Sequence, residues 1–188
     1  KLLKKEIKKN DLVIVSDYGH GLISKKSAKL ICKNSKFLAL NAQVNASNIG
    51  YHTIRNYNNF DVLIINEKEI RHEMRDKVSK LEVLISSLSK EKNIKNLIVT
   101  LGSKGSILFN KNKNKFFYID AYANKIVDKV GAGDTMLSLI APCLKSRINS
   151  NTSLLISSLA AAQSVENIGN KYTINKLKIL KTLKNILK

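Results

Sequence analysis

Apolar residues in this chain fall into short blocks separated by polar turns, with helical spacing between and after them. Residues 11–16 (DLVIVS) form an apolar run ending at the turn-rich DYGHG, and Ser24 then caps a helical pattern carrying Ala28, Leu30 and Ile31. Residues 37–40 and 62–65 read as two further buried strands, separated by a polar stretch, 41–59, of the length that usually serves a function. After Asn66 the pattern predicts a helix through 78–89, then a strand at 97–101, a glycine turn at 102–105 and a strand at 106–109. Residues 115–119 return as another strand, and from Ala132 onward the pattern is helical almost throughout. Pro142 has no N–H and is expected to kink or end its helix. Residues 152–168 form a helix whose Ala160, Ala161 and Ala162 permit close approach to a neighbour. The closing run, 174–187, is a docked helix with a solvated face of Lys176, Lys178, Lys181 and Lys184.

Strands alternating with helices define an α/β fold, a mainly parallel sheet covered on both faces, with the hairpin 106–119 added antiparallel. No repeat or linker divides the 188 residues, so 1–188 reads as a single domain. Ligands in open sheets of this kind bind beyond the carboxyl ends of the strands, which singles out the loops 17–21, 66–69, 100–105 and 128–135.

Charge changes the picture less than its size suggests. With 33 Lys+Arg against 14 Asp+Glu the formal charge is +19, a value that by itself points to nucleic acid or an anionic surface. The excess is scattered lysine, however, and only Arg55, Arg71, Arg75 and Arg147 supply the forked guanidinium suited to phosphates and bases. A specific nucleic-acid partner is therefore not expected. Cys32 and Cys143 lie in apolar surroundings without C-x-x-C spacing, which excludes a disulfide framework and fits a reducing cytoplasm. No apolar run reaches the length of a membrane span, and no membrane partner is expected. His72-Glu73 begins a zinc-protease pattern, but Asp76 stands where the second histidine belongs. His20 and His52 are lone loop histidines, and the asparagine-rich 41–50 stretch is polar enough to line a cleft.

The segment Asp128-Lys129-Val130-Gly131-Ala132-Gly133-Asp134-Thr135 carries the most chemistry. Two glycines just before a long helix let the backbone approach an anion closely, and the free N–H groups of the first turn point at it. Asp134 then sits where a hydroxyl can meet a bound phosphate, and a carboxylate there can take the hydroxyl proton as the oxygen attacks. Taken alone, the same residues are also explained by a glycine turn and an Asp-capped helix. Asn66-Glu67-Lys68-Glu69 taken alone is likewise an ordinary helix start.

DKVGAGDT resembles the second signature of PfkB-type (ribokinase-like) carbohydrate kinases, D-T-x-G-A-G-D, with Lys129 in place of the usual Thr. The resemblance implies that Asp134 is the catalytic base, that the amides of Gly131, Ala132 and Gly133 form an anion hole, and that Asp128 belongs to the same cofactor loop. Three further segments match in the family's order. Asn66 and Glu69 resemble the N-x-x-E motif that helps hold Mg²⁺ and phosphates, the metal being reached through water or phosphate. Thr100, Gly102 and Gly105 resemble the nucleotide-side turn, and Asp17-Tyr18-Gly19-His20-Gly21 resembles the D-Y-x-x-G of the heptose-kinase-like branch, which puts Asp17 and Gly19 on the substrate side. An alanine-rich helix packs near the adenine in the family.

What the resemblance implies is a ribokinase-like fold, ATP and Mg²⁺ as cofactors, and a sugar or sugar phosphate as acceptor. It covers the family's carboxyl-terminal two-thirds. The amino-terminal strands and the lid that closes over the sugar, through which a homodimer can form, are expected upstream of Lys1; some members also carry a nucleotidyltransferase domain. Two other classes stay open on the residues alone: a nucleotide-binding relative without turnover, and a basic nucleic-acid or interaction module. Retention of Asp128, Asp134 and the glycines speaks against the first, and the scarcity of Arg against the second.

Overall fold

The structure, a computed structural model, describes residues 1–43, 53–123, 125–166 and 173–186. Six strands form one sheet in sequential order: β1 (Val13–Asp17), β2 (Leu38–Ala42), β3 (Val62–Asn66), β4 (Asn96–Thr100), β5 (Ser106–Asn110) and β6 (Lys115–Ile119). The first four are parallel, and β4, β5 and β6 then turn back as an antiparallel meander. The mainly parallel sheet with an antiparallel hairpin is therefore the architecture the apolar blocks announce.

Strand alternation divides the core in two. Val15, Leu40, Leu63, Ile65, Leu97 and Val99 face one side, where they pack with α1 (Leu2–Lys9), α2 (Lys25–Asn34), α3 (Glu67–Glu73) and α4 (Leu81–Lys92) through residues such as Ile7, Ile31, Ile70 and Leu88. Ala39, Val62, Ile64, Ile98 and Leu108 face the other, covered by α5 (Ala132–Lys145) and α6 (Ser150–Val165). Full burial on both faces explains why β2 and β3 are almost unbroken apolar runs rather than alternating ones. The helix α7 (Lys176–Ile186) docks Ile179 on Leu159 and Ala160 of α6 and leaves Lys176, Lys178, Lys181 and Lys184 exposed.

Local chemistry sets the element ends. Ser24 accepts the Ser27 amide and so caps α2, as its position predicts. Where one helix was expected through 78–89, the chain makes two, because Asp76 accepts the amides of Val78 and Ser79 and the Ser79 hydroxyl, a turn that competes with helix continuation. Those bonds, the Ser79 hydroxyl foremost, hold the Asp76 carboxyl down at about 2. Pro142 neither breaks α5 at once nor leaves it long: the helix ends three residues later, and the Ser146 amide bonds the Pro142 carbonyl. Much of the 41–59 link, including His52, lies outside the described residues; its end folds as a short 3₁₀ turn, Thr53–Asn56.

Candidate active site

The carboxyl ends of the strands and the start of α5 enclose a cleft of about 910 Å³. It is there that Asp134 stands, in the first turn of α5. Gly131 enters that helix at φ 80, a left-handed conformation for which glycine is suited. Of the amides expected to form the anion hole, that of Ala132 reaches back to the Lys129 carbonyl in a long bond of 3.4 Å, and the first regular helical bond runs from the Thr135 amide to the Gly131 carbonyl at 2.9 Å.

The Asp134 carboxylate is held by three donors. Ser16 Oγ donates to Oδ1 at 2.7 Å and Asn41 Nδ2 donates to the same oxygen at 3.1 Å. The Tyr18 hydroxyl donates to Oδ2 at 2.9 Å. Ser16 and Asn41 are direct register partners on β1 and β2 and both point to the face that α5 covers, so the strand pairing itself brings them together. Tyr18 follows the last residue of β1. Its bond to Asp134 and, secondly, burial raise its pKa, so it stays a proton donor well into the alkaline range. Gly133 fits this arrangement closely: a Cβ there would come within 3.3 Å of Asn41 Nδ2 and press on the amide that holds Asp134.

Alternation turns Asp17 the opposite way from Ser16. Its side chain is buried, at 5% exposure, and accepts the Gly19 amide at 3.0 Å and the Tyr57 hydroxyl at 2.9 Å. Burial, and then this bond, raises the pKa of Tyr57 strongly. Asp17 and Gly19 thus form the tied turn that delivers Tyr18, and neither lines the cleft. Asp128 does not line it either; its carboxylate accepts the Val130 amide at 2.9 Å and shapes the loop ahead of Gly131.

The other expected residues do gather in the cleft. Asn66 caps α3 in a reciprocal box, its side chain accepting the Glu69 amide while Glu69 Oε2 accepts the Asn66 amide, each at 2.9 Å. The helix-start reading and the cleft-lining reading of N-E-K-E both hold, since Asn66 and Glu69 lie on the cleft wall. Carboxylate and amide oxygens are hard donors of the kind Mg²⁺ accepts. Thr100, the register partner of Asn66 on β4, continues this lining with Gly102 and Gly105, and Ser158, Ala161 and Ala162 of α6 line the cleft as well. Sequence reasoning gave no role to Ser16, named Tyr18 only within the D-Y-x-x-G motif, and took Asn41 only as the start of a stretch polar enough to line a cleft, which Asn41 does. It also passed over Lys129 as a mere departure from a pattern, yet Lys129 is the only cationic side chain among the described lining residues, against Glu69, Asp120 and Asp134. His20 is exposed and does not line the cleft.

A four-stranded parallel sheet extended by an antiparallel hairpin, with a glycine-entered helix and its aspartate at the strand ends, defines a ribokinase-like α/β protein. Ribokinase from Thermotoga maritima superposes with a TM-score of 0.77 at 22% identity, over 97% of this chain and 59% of that one. Phosphofructokinase-2 from Escherichia coli, in a complex with potassium, gives 0.79 at 13% identity, over 100% and 62%. At those identities the likeness concerns the fold. The family follows from sequence: residues 3–177 match the pfkB family carbohydrate kinases, and the chain belongs to that family. Curated relatives include the bifunctional protein HldE of Campylobacter curvus (strain 525.92), 30% identical over 167 residues, and that of Aliarcobacter butzleri (strain RM4018), 28% identical over 174. These alignments take in 87% and 91% of this chain but 34% and 35% of the relatives, so the chain spans about a third of their length.

Proposed function

We propose that this chain carries the nucleotide cradle and the base of an ATP-dependent kinase acting on a hydroxyl of a sugar or sugar phosphate. The observation that carries the reading is the Asp134 carboxylate, fixed by three donors at the glycine-rich entry to α5 and facing the same cleft as Asn66, Glu69 and the 100–105 turn. In this reading the acceptor O–H gives its proton to Asp134 while its oxygen forms the new bond to the γ-phosphorus. The bond from that phosphorus to the β,γ-bridging oxygen breaks, and ADP leaves. The amides of Gly131, Ala132 and Gly133, at the positive end of α5, face the charge on the transferring group. Lys129 adds the one cation among the described lining residues of a carboxylate-rich wall. Asn66 and Glu69 would hold Mg²⁺ through water or phosphate, and the bound ion supplies charge neutralisation for the phosphates. Thr100, Gly102 and Gly105 provide the wall along which the nucleotide lies, and Asp128 holds the loop that leads into Gly131.

An ATP-dependent enzyme of this kind suits the cytoplasm, and no helix among the described residues is long and apolar enough to cross a membrane. The test is acceptor-dependent ADP release by the full-length protein across ketoses, aldoses and heptose phosphates. At least one acceptor should stimulate release strongly. Tight MgATP binding with no stimulation by any of them would instead favour a nucleotide-binding relative without turnover.

A further inference from the structure

We infer that Tyr18 is a positioning residue for the base, fixing the Asp134 carboxylate so that Oδ2 is the atom that takes the acceptor proton. The inference rests on the reading of Asp134 as base and adds to it which oxygen works and what aims it. A carboxylate offers about two lone pairs on each oxygen. On Oδ1 both are occupied, by Ser16 Oγ at 2.7 Å and Asn41 Nδ2 at 3.1 Å. Oδ2 receives one donor, the Tyr18 hydroxyl at 2.9 Å, and keeps one lone pair for the acceptor. The direction of that lone pair is set by Tyr18, because a rotation of the carboxylate about its own axis would break all three bonds together.

Tyr18 is itself 45% exposed, so its place depends on the turn beneath it. That turn is tied from inside the core. Asp17 takes the Gly19 amide on Oδ1 and the hydroxyl of fully buried Tyr57 on Oδ2, and Gly19 adopts φ 71 to let the chain reverse. The buried pair Tyr57–Asp17 has no contact with the cleft. Its effect is to hold Tyr18 over Asp134, across a separation of 116 residues in sequence. Tyr18 also lines the cleft, so contact with the acceptor is the competing role, and removal of the hydroxyl alone separates the two.

The experiment compares full-length wild type, Tyr18→Phe and Asp134→Asn with MgATP and ribose, fructose 6-phosphate and a heptose 7-phosphate as acceptors. In Tyr18→Phe the ring remains. We expect kcat to fall about 10- to 100-fold, the size of a lost hydrogen bond to a charged group whose alignment matters. KM for MgATP and for the acceptor should stay at wild-type values, and the melting temperature should move by less than about 2 °C. Wild-type kcat in Tyr18→Phe beside an inactive Asp134→Asn overturns the positioning role while leaving the base in place. A loss that appears only as a raised acceptor KM overturns it too, in favour of direct acceptor contact. Wild-type turnover in Asp134→Asn removes the base, and this inference with it.

Discussion

Gly102 and Gly105 bracket the turn between β4 and β5, and both have positive φ, at 63 and 90. They should nevertheless respond very differently to a methyl group. At Gly102 a Cβ meets nothing within 4 Å, so Gly102→Ala pays only for the left-handed backbone, about 1 kcal/mol. At Gly105 a Cβ would run into the Ile119 carbonyl oxygen at the end of β6 and lie 2.8 Å from two backbone atoms of Asp120. Its backbone, φ 90 and ψ −138, is also one that L residues avoid, at a cost of about 1–3 kcal/mol. Moving the β6 backbone aside adds roughly 2 kcal/mol, by analogy with overpacked cores. The expected gap between the two variants is therefore about 2–4 kcal/mol, or roughly 5–15 °C in melting temperature for a chain of this size. Circular dichroism melts of both variants measure it directly, and calorimetry with MgATP should show weaker binding for Gly105→Ala, since Gly105 lines the cleft. Equal melting midpoints for the two would refute the steric argument and the placement of β6 against this turn.

Other outcomes follow from the cleft. Glu69→Gln keeps an oxygen to accept the Asn66 amide, so the fold should hold while the Mg²⁺ concentration for half-maximal activity rises; an unchanged metal dependence would reduce the motif to a helix cap. Lys129→Ala should raise KM for MgATP several-fold and alter kcat little, as expected for a cation that binds ground and transition states alike. Unclustered lysines neutralise few phosphates at once, so binding to RNA or DNA should be weak and gone by roughly 0.2 M salt in a filter-binding titration. Tight binding above that salt would place the protein in another functional class.

The strands, the hairpin and the loops that form the cleft were legible because full burial writes unbroken apolar runs and glycines mark the turns. Residues 115–119 coincide with β6 for a different reason: that strand is only partly buried, and its run of aromatic residues marks it. The convergence on Asp134 was not legible. Ser16, Tyr18 and Asn41 lie 118, 116 and 93 residues from it in sequence, and only the β1–β2 register and the seating of α5 join them. Asp17 was the more conspicuous residue of its motif, yet a period-two strand must send neighbours to opposite faces, and a single sequence does not say which face holds the site. It therefore drew the substrate role, whereas its carboxylate is committed to Gly19 and Tyr57. The break between α3 and α4 was hidden for a different reason: Asp76 acts through two backbone amides, a local bond that apolar spacing does not register.

The central claim is that Asp134 removes the acceptor proton during phosphoryl transfer, and single-turnover transfer from γ-labelled MgATP in full-length wild type and Asp134→Asn tests it most directly. Asparagine keeps the size of the side chain and loses the carboxylate that takes the proton, so transfer should slow by about 10² to 10⁴. Nucleotide affinity, measured in parallel by calorimetry, should stay close to wild type. Transfer at the wild-type rate in Asp134→Asn would contradict the account.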